Sequence, residues 1–330
     1  MRQRTLGNTG LVVSEIGFGG WGIGGSSGNS IGYGPTDDEI SRQVLRRALE
    51  QGVTFYDTAP LYGQGHSERL IGEVFEGLRS RVVIASKVGF LDSQENQDFS
   101  PDHLKQSLEK SLGRLRTDYL DLYQLHNPPL ELLERNQRIL ETLVSLKQSG
   151  RIRAFGICVR SPADAFTAVE RFGFDCVQIN FNLLDQRVVE TGFLNFCQSR
   201  RIGVIARTPL CFGFLTGAYP SEGPFAPTDH RSRWSQEQRV LWAQAYRLFE
   251  SVLANETQTP AQMALRFCLS YPSVSAAIPG MLREEHLMEN VAASTMGELA
   301  ENQRKALEQV YQGHRFFLGE RLVLSQENRF

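Results

Sequence analysis

Residues 55–63 read FYDTAPLYG. The apolar, β-rich run from Val53 to Tyr56 ends in a carboxylate, Asp57, and Tyr62 follows five residues later, beyond a proline. A helical pattern then begins near His66. A buried strand ending in an acid, with a tyrosine in the next turn, puts polar chemistry at the carboxyl end of a parallel strand. Open α/β sheets and α/β barrels keep their sites there. On its own the fragment reads better as a turn cap and a packed loop ring, because strand-terminal Asp is common. The rest of the chain reverses that reading.

Outward from this stretch the same unit repeats. Downstream, strands are expected over 82–86, 119–125, 152–158, 176–179, 203–206 and 275–278. The spacing predicts helices from 67, from Ser100-Pro101, over 130–149, from Ser161-Pro162, and over 188–199, 236–254, 260–270, 283–293 and 298–313. Upstream, 2–13 reads as a hairpin around Gly7-Asn8, with Leu6, Leu11 and Val13 as apolar partners, placed to plug one barrel end. A strand over 15–18 leads into GGWGIGGSSGNSIGYG at 19–34, a loop with room for a ligand or merely a flexible one. Thr36 and Glu39 have capping-box spacing at the start of the first helix. Eight strands alternating with helices point to a (β/α)8 TIM barrel, with an N-terminal β-hairpin and extra C-terminal helices, as one domain over 1–330. A doubly wound open sheet is the runner-up, but no Gly-x-Gly-x-x-Gly opens a helix in the first βα unit. The apolar tail from Gly313 is expected to pack over a barrel end.

Composition narrows the function. The chain has 330 residues, 41% hydrophobic and 22% charged, with a net charge of −2. That balance gives no electrostatic case for nucleic acid or an anionic membrane. No apolar run reaches membrane-spanning length, and MRQRTLGNTG has no signal-peptide core. Cys158, Cys176, Cys197, Cys211 and Cys268 form no C-x-x-C pair and read as reduced, buried thiols, so a cytoplasmic protein is expected.

Three consecutive strands end in Asp57, Lys87 and His126. Singly, each has a structural explanation. Together, at neighbouring strand ends, they and Tyr62 converge on one rim. A buried Lys87 needs the counter-charge that Asp57 carries. Lys87⁺ beside Tyr62 favours the phenolate and is expected to lower a pKa that starts near 10, making Tyr62 a proton donor. His126 adds a hydrogen bond to the same substrate oxygen. This set suits a carbonyl that gains negative charge under attack. No nucleophilic Ser or Cys stands out, so the attacking group should come from a cofactor.

The sequence resembles the aldo-keto reductase superfamily over nearly its whole length. The matching blocks are YDTAPLYGQGHSE (56–68), SKVG (86–89), YLDLYQLHNP (119–128), GRIRAFGI (150–157), VQINFNLLD (177–185), RTPLCFGFLTG (207–217) and IPGMLREEHLMEN (278–290). The resemblance implies a barrel that binds NADPH without a Rossmann fold, with Asp57, Tyr62, Lys87 and His126 as the catalytic set. Hydride would pass to the carbonyl while Tyr62 protonates its oxygen. It also implies that Gly20 and Trp21 lie beside the nicotinamide and Gln178 bonds its carboxamide. Pro209, Leu210, Gly213, Leu215 and Gly217 would surround the pyrophosphate, and Gly280, Arg283, His286, Glu289 and Asn290 the adenosine. Where many relatives carry Ser-Asn this chain has Cys158-Val159, and where many stack a tyrosine on the nicotinamide it has Arg207. Arg283 opens a helix, where a cation opposes the dipole; a cofactor 2′-phosphate would justify it, which favours NADPH over NADH.

The substrate is expected to be a small aldehyde or ketone. Its candidate walls are Trp21, Tyr62, His126, Tyr33, Phe90, Phe212 and the insert 225–234, whose Trp234 would cover the substrate. Packing of that insert on its own barrel is the equal alternative. Two other functional readings stand: a cofactor-binding regulatory subunit, and an epimerase or dehydratase that uses bound nicotinamide transiently. A zinc site on His66, His126 and Asp57 is disfavoured by Lys87 in their midst. Monomer and homo-oligomer are both open.

Overall fold

The structure, a computed structural model, describes residues 1–26, 32–219, 224–253 and 257–319. Part of the glycine-rich 19–34 stretch, residue 254 of the expected 236–254 helix and the tail beyond 319 lie outside those residues. Ten strands are present among the described residues. β1 (Gln3–Thr5) and β2 (Val12–Ser14) form an antiparallel hairpin. β3 (Phe18–Gly19), β4 (Phe55–Asp57), β5 (Val83–Val88), β6 (Leu120–His126), β7 (Ile152–Val159), β8 (Cys176–Asn180), β9 (Gly203–Arg207) and β10 (Val274–Ala277) pair in parallel, each with the next. Parallel bridges Ile16↔Ala277 and Gly19↔Gly280 join the two ends of this row into the expected (β/α)8 barrel.

Period-2 alternation decides which side chains fill the barrel. Phe55, Ala85, Leu122, Ala154, Cys176, Ile205 and Ala276 form its apolar floor, and Leu6, Leu11 and Val13 of the hairpin pack into the same cluster. The hairpin therefore plugs the amino-terminal end of the strands. The outward residues pack under the helices in a separate, larger core. Inward positions two or four residues beyond the floor carry Asp57, Lys87, Gln124, His126, Cys158, Gln178 and Arg207. The polar layer thus lies at the carboxyl end because the strands keep their alternation while the inward residue type changes.

Gly7 fixes the plug. Its φ is +54°, and a Cβ there would stand 2.2 Å from the Gly203 nitrogen. Gly7→Ala is expected to destabilise the fold by about 2–4 kcal/mol, backbone strain and overpacking combined. Gly10→Ala is the control: φ is +77°, but a Cβ meets nothing within 4 Å. Thermal melts of both variants check this, with the larger loss at Gly7.

Three local expectations are corrected. Asp37, not Thr36, caps the first helix (Asp38–Glu50), accepting from the Glu39 and Ile40 amides at 2.8 and 3.0 Å. Two capping registers overlap here, and the carboxylate is the stronger acceptor at a helix N-terminus. The helix expected over 130–149 is two helices, Leu130–Arg135 and Arg138–Gln148, broken where Asn136 leaves helical geometry at φ −137° and ψ 82°. The segment 188–199 is likewise split at Gly192, into Arg187–Glu190 and Phe193–Arg200. No helix among the described residues is long and apolar enough to cross a membrane.

Candidate active site

Lys87 is the hub. Its side chain is fully buried, and Nζ donates to Asp57 Oδ1 at 2.5 Å, the Thr58 carbonyl at 2.9 Å and Tyr62 Oη at 3.1 Å. An ammonium has three protons, and each finds an acceptor. Burial works against the charge, but the groups facing the ammonium, Asp57 first and then Tyr62 and Cys158, together outweigh it and hold the Lys87 pKa above its ordinary value. The second Asp57 oxygen accepts from Gln178 Nε2 at 2.8 Å and Gln124 Nε2 at 3.2 Å. Asp57 is thereby fixed from both sides.

Tyr62 does not behave as its neighbour alone suggests. Burial raises its pKa more than Lys87 lowers it, so the net shift is upward. The expected lowering is corrected in sign: Lys87 offsets desolvation and does not reverse it. Tyr62 is therefore a neutral phenol across the neutral range. His126 is 6% exposed, and its ring meets Tyr62 edge-on at 6.3 Å and Phe90 at 4.8 Å between centroids. Burial, then the charges of Lys87, Arg207 and Arg160, pushes its pKa well below the usual histidine value, so the imidazole is neutral and donates from one nitrogen.

Above these groups opens a cavity of about 610 Å³. Asp57, Tyr62 and His126 line its floor, while Lys87 supports it from beneath. Of the other expected site residues, Gly20, Trp21, Gln178, Arg207, Pro209, Leu210, Gly213, Gly280, Arg283, His286, Glu289 and Asn290 line the cavity. Cys158, Leu215 and Gly217 are absent from that lining. Cys158 lies within the barrel against Gln178 Oε1 and Arg207, and Leu215 is core. Gly217 ends the turn after β9 with φ +73°. Phe90 and Trp234 also stand back from the cavity. Trp234 packs behind Phe212 and His230 against Trp242, with ring centroids 4.5, 4.7 and 4.8 Å away.

The 225–234 insert still reaches the cavity, through His230 and Arg231. Arg231 clasps Asp229 with Nε and Nη2 at 3.0 and 2.7 Å and lies 4.2 Å from the Tyr219 ring and 4.8 Å from Tyr33. The Asp229 backbone bridges to Gly32 and Tyr33, so this insert meets the segment after β3 across the cavity. Arg207 is pinned by Asn180 Oδ1 at 2.8 Å, Asn127 Oδ1 at 3.2 Å and the Val159 carbonyl at 3.0 Å.

A search by family model matches residues 15–312 to the Aldo/keto reductase family. The chain belongs to this family. The Schizosaccharomyces pombe aldo-keto reductase yakc [NADP(+)] is 30% identical over 305 residues, covering 88% of this chain and 86% of its own. The Escherichia coli NADH-specific methylglyoxal reductase is 29% identical over 313 residues, covering 89% and 93%. The holo form of aldo-keto reductase AKR11C1 from Bacillus halodurans superposes with a TM-score of 0.78 at 26% identity, over 97% of this chain and 99% of its own. Membership in the family makes nicotinamide-dependent reduction of small carbonyl compounds the chain's class of chemistry.

The cavity fits such a cofactor on its own evidence. Asn290 is 2% exposed, lines the cavity and has a buried Nδ2 with no partner among the described residues. A buried amide left unpaired costs about 1–3 kcal/mol, and a base acceptor would relieve it. A Cβ built on Gly280 meets nothing within 4 Å among the described residues, leaving backbone open to a ligand. Arg283 caps the helix Glu284–Met296, exposed, with His286 Nε2 at 3.3 Å and no carboxylate partner among the described residues. The residue-level reading missed Gln124, Asn180, Arg160 and Tyr219. Gln124 was within reach, since it shares the inward face of β6 with Leu122 and His126.

Proposed function

We propose that this protein is an NADPH-dependent reductase that converts an aldehyde or ketone to an alcohol, with Tyr62 as proton donor. The observation that carries the proposal is the Lys87 ammonium joined at once to Asp57, Thr58 and Tyr62 on the cavity floor. A bound nicotinamide supplies the hydride that adds to the carbonyl carbon. Tyr62 Oη gives its proton to the carbonyl oxygen as negative charge gathers there. Lys87 stabilises the phenolate left behind, and its tie to Asp57 keeps it charged. The neutral His126 donates a second hydrogen bond to the same oxygen. Trp21 and Phe212, their rings 6.4 Å apart, wall the apolar side of the cavity.

The choice of NADPH rests on Arg283, an acid-free guanidinium at a helix start. Arg283→Ala is expected to weaken NADPH binding about tenfold or more and NADH binding little, which equals the loss of one charge-assisted contact of roughly 1.5–3 kcal/mol. Quenching of tryptophan fluorescence reads it, with Trp21 in the cavity wall as reporter. Equal weakening of both cofactors would sink the NADPH assignment. The reductase reading itself is tested by following NADPH oxidation across a panel of aldehydes and ketones. Product formation without net NADPH loss would favour the transient-oxidation alternative.

A further inference from the structure

Arg160 is not used by the proposed chemistry, yet it lines the same cavity. It follows the end of β7, two residues past Cys158, which pairs in register with His126. Its place is therefore just past the end of the strand next to the imidazole. Nε is buried without a partner among the described residues. Its one carboxylate contact among the described residues is a single bond from Nη2 to Glu95 Oε1 at 3.3 Å. A guanidinium carries five N–H donors in a planar fork, and a single long contact leaves most of that capacity unmet. Burial disfavours the charge here and Arg207 repels it.

Arg207 adds to the imbalance. It too lines the cavity, and its hydrogen bonds go to amide oxygens, a carbonyl and a thiol, with no carboxylate partner among the described residues. Lys87 and Asp57 neutralise one another. Arg160 and Arg207 against Glu95 leave the catalytic end of the cavity one positive charge in excess. A half-buried cation in that state is stabilised by an incoming anion. Glu95 itself sits at φ +69°, in a loop wound on Asp92, whose carboxylate accepts from the Gln94 and Asn96 amides and from Asn96 Nδ2. The left-handed region costs a non-glycine residue energy. The loop holds Glu95 against Arg160 as a weak, displaceable partner.

We infer that Arg160 is a specificity residue for carbonyl substrates bearing an anionic group, carboxylate or phosphate, which displaces Glu95 from its guanidinium. This rests on the reductase reading above. The test pairs each anionic aldehyde with a neutral counterpart: 4-carboxybenzaldehyde with 4-formylbenzamide, and glyceraldehyde 3-phosphate with glyceraldehyde. The ratio of kcat/KM, anionic over neutral, is measured for the wild type, Arg160→Ala and Arg160→Lys with NADPH. The expected wild-type ratio is about tenfold or more in at least one pair, as one charge-assisted pairing supplies. It should fall to near one in Arg160→Ala and recover in part in Arg160→Lys. The pair that shows it names the anion. Binding without turnover is read by tryptophan quenching with 4-(hydroxymethyl)benzoate and 4-(hydroxymethyl)benzamide, and separately with glycerol 3-phosphate and glycerol.

Wild-type ratios near one in both pairs overturn the inference, as does a high ratio that Arg160→Ala leaves intact. An Arg160→Ala loss of NADPH affinity matching its loss of activity also overturns it, because the residue would then serve the cofactor. No turnover of any carbonyl compound removes the reductase reading and this inference with it. Turnover with equal ratios removes this inference alone.

Discussion

Tyr62→Phe is expected to lower carbonyl reduction by roughly 100- to 10,000-fold, the span of a positioned proton donor. Cofactor binding should change less than about twofold, because the phenyl ring keeps its place over Lys87 Nζ, now 4.8 Å from the ring centroid. The variant loses one hydrogen bond, from Lys87 at 3.1 Å, and no core packing. The pH profile is a second readout. The Tyr62 phenol holds its proton above its ordinary pKa and His126 is neutral well below its own. The donor is therefore in its working state across the neutral range, and the rate of reduction should be flat from about pH 7 to about pH 9. Single-turnover NADPH oxidation across that range measures both effects. Loss of cofactor binding along with turnover would make Tyr62 structural and end its assignment as donor.

The parts of this site that were legible in sequence share one property: they are set by the strand they end. FYD, SK and QLH each carry an apolar alternation into a polar inward residue, and parallel pairing does the rest. Lys87, Asp57, Tyr62 and His126 therefore converge as their spacing suggested. Residues whose role depends on a partner far along the chain were not legible. Arg160 meets Glu95 across 65 positions, through a loop whose left-handed turn at Glu95 has no glycine to announce it. Trp234 carried the signal of a substrate cover, an aromatic in an insert. Its actual surroundings depend on Trp242, one face of the following helix (Gln236–Glu250), which draws the indole away from the cavity into packing behind Phe212. The sign of the Tyr62 shift had the same cause. Sequence places Lys87 beside it, but only the packed structure shows how fully the pair is removed from water. The Thr36–Asp37 slip was of another kind, two caps one residue apart competing for the same amides.

Lys87→Met, beneath the cavity floor, is expected to be the most destabilising substitution at the site, by about 3–5 kcal/mol, with activity lost as well. The methionine fills similar volume, so the cost is not a cavity. It comes from Asp57, 2% exposed, left charged with only the Gln178 and Gln124 amides at 2.8 and 3.2 Å. Asp57→Asn in the same background removes that stranded charge. The double variant should regain about 2 kcal/mol or more over Lys87→Met alone while remaining inactive, since Tyr62 still lacks its neighbour. The pair's contribution also has a defined pH window. Folding raises the Lys87 pKa, so the stability it lends is complete below the unfolded lysine value near 10.4 and is lost as pH climbs through the folded value. Thermal melts at pH 7 and above pH 10 separate this from simple packing. Wild type should lose stability over that rise, whereas the double variant, with neither charge, should lose less. Equal losses in both would mean that the buried pair is held by packing around it, and that its geometry serves Tyr62 without stabilising the fold.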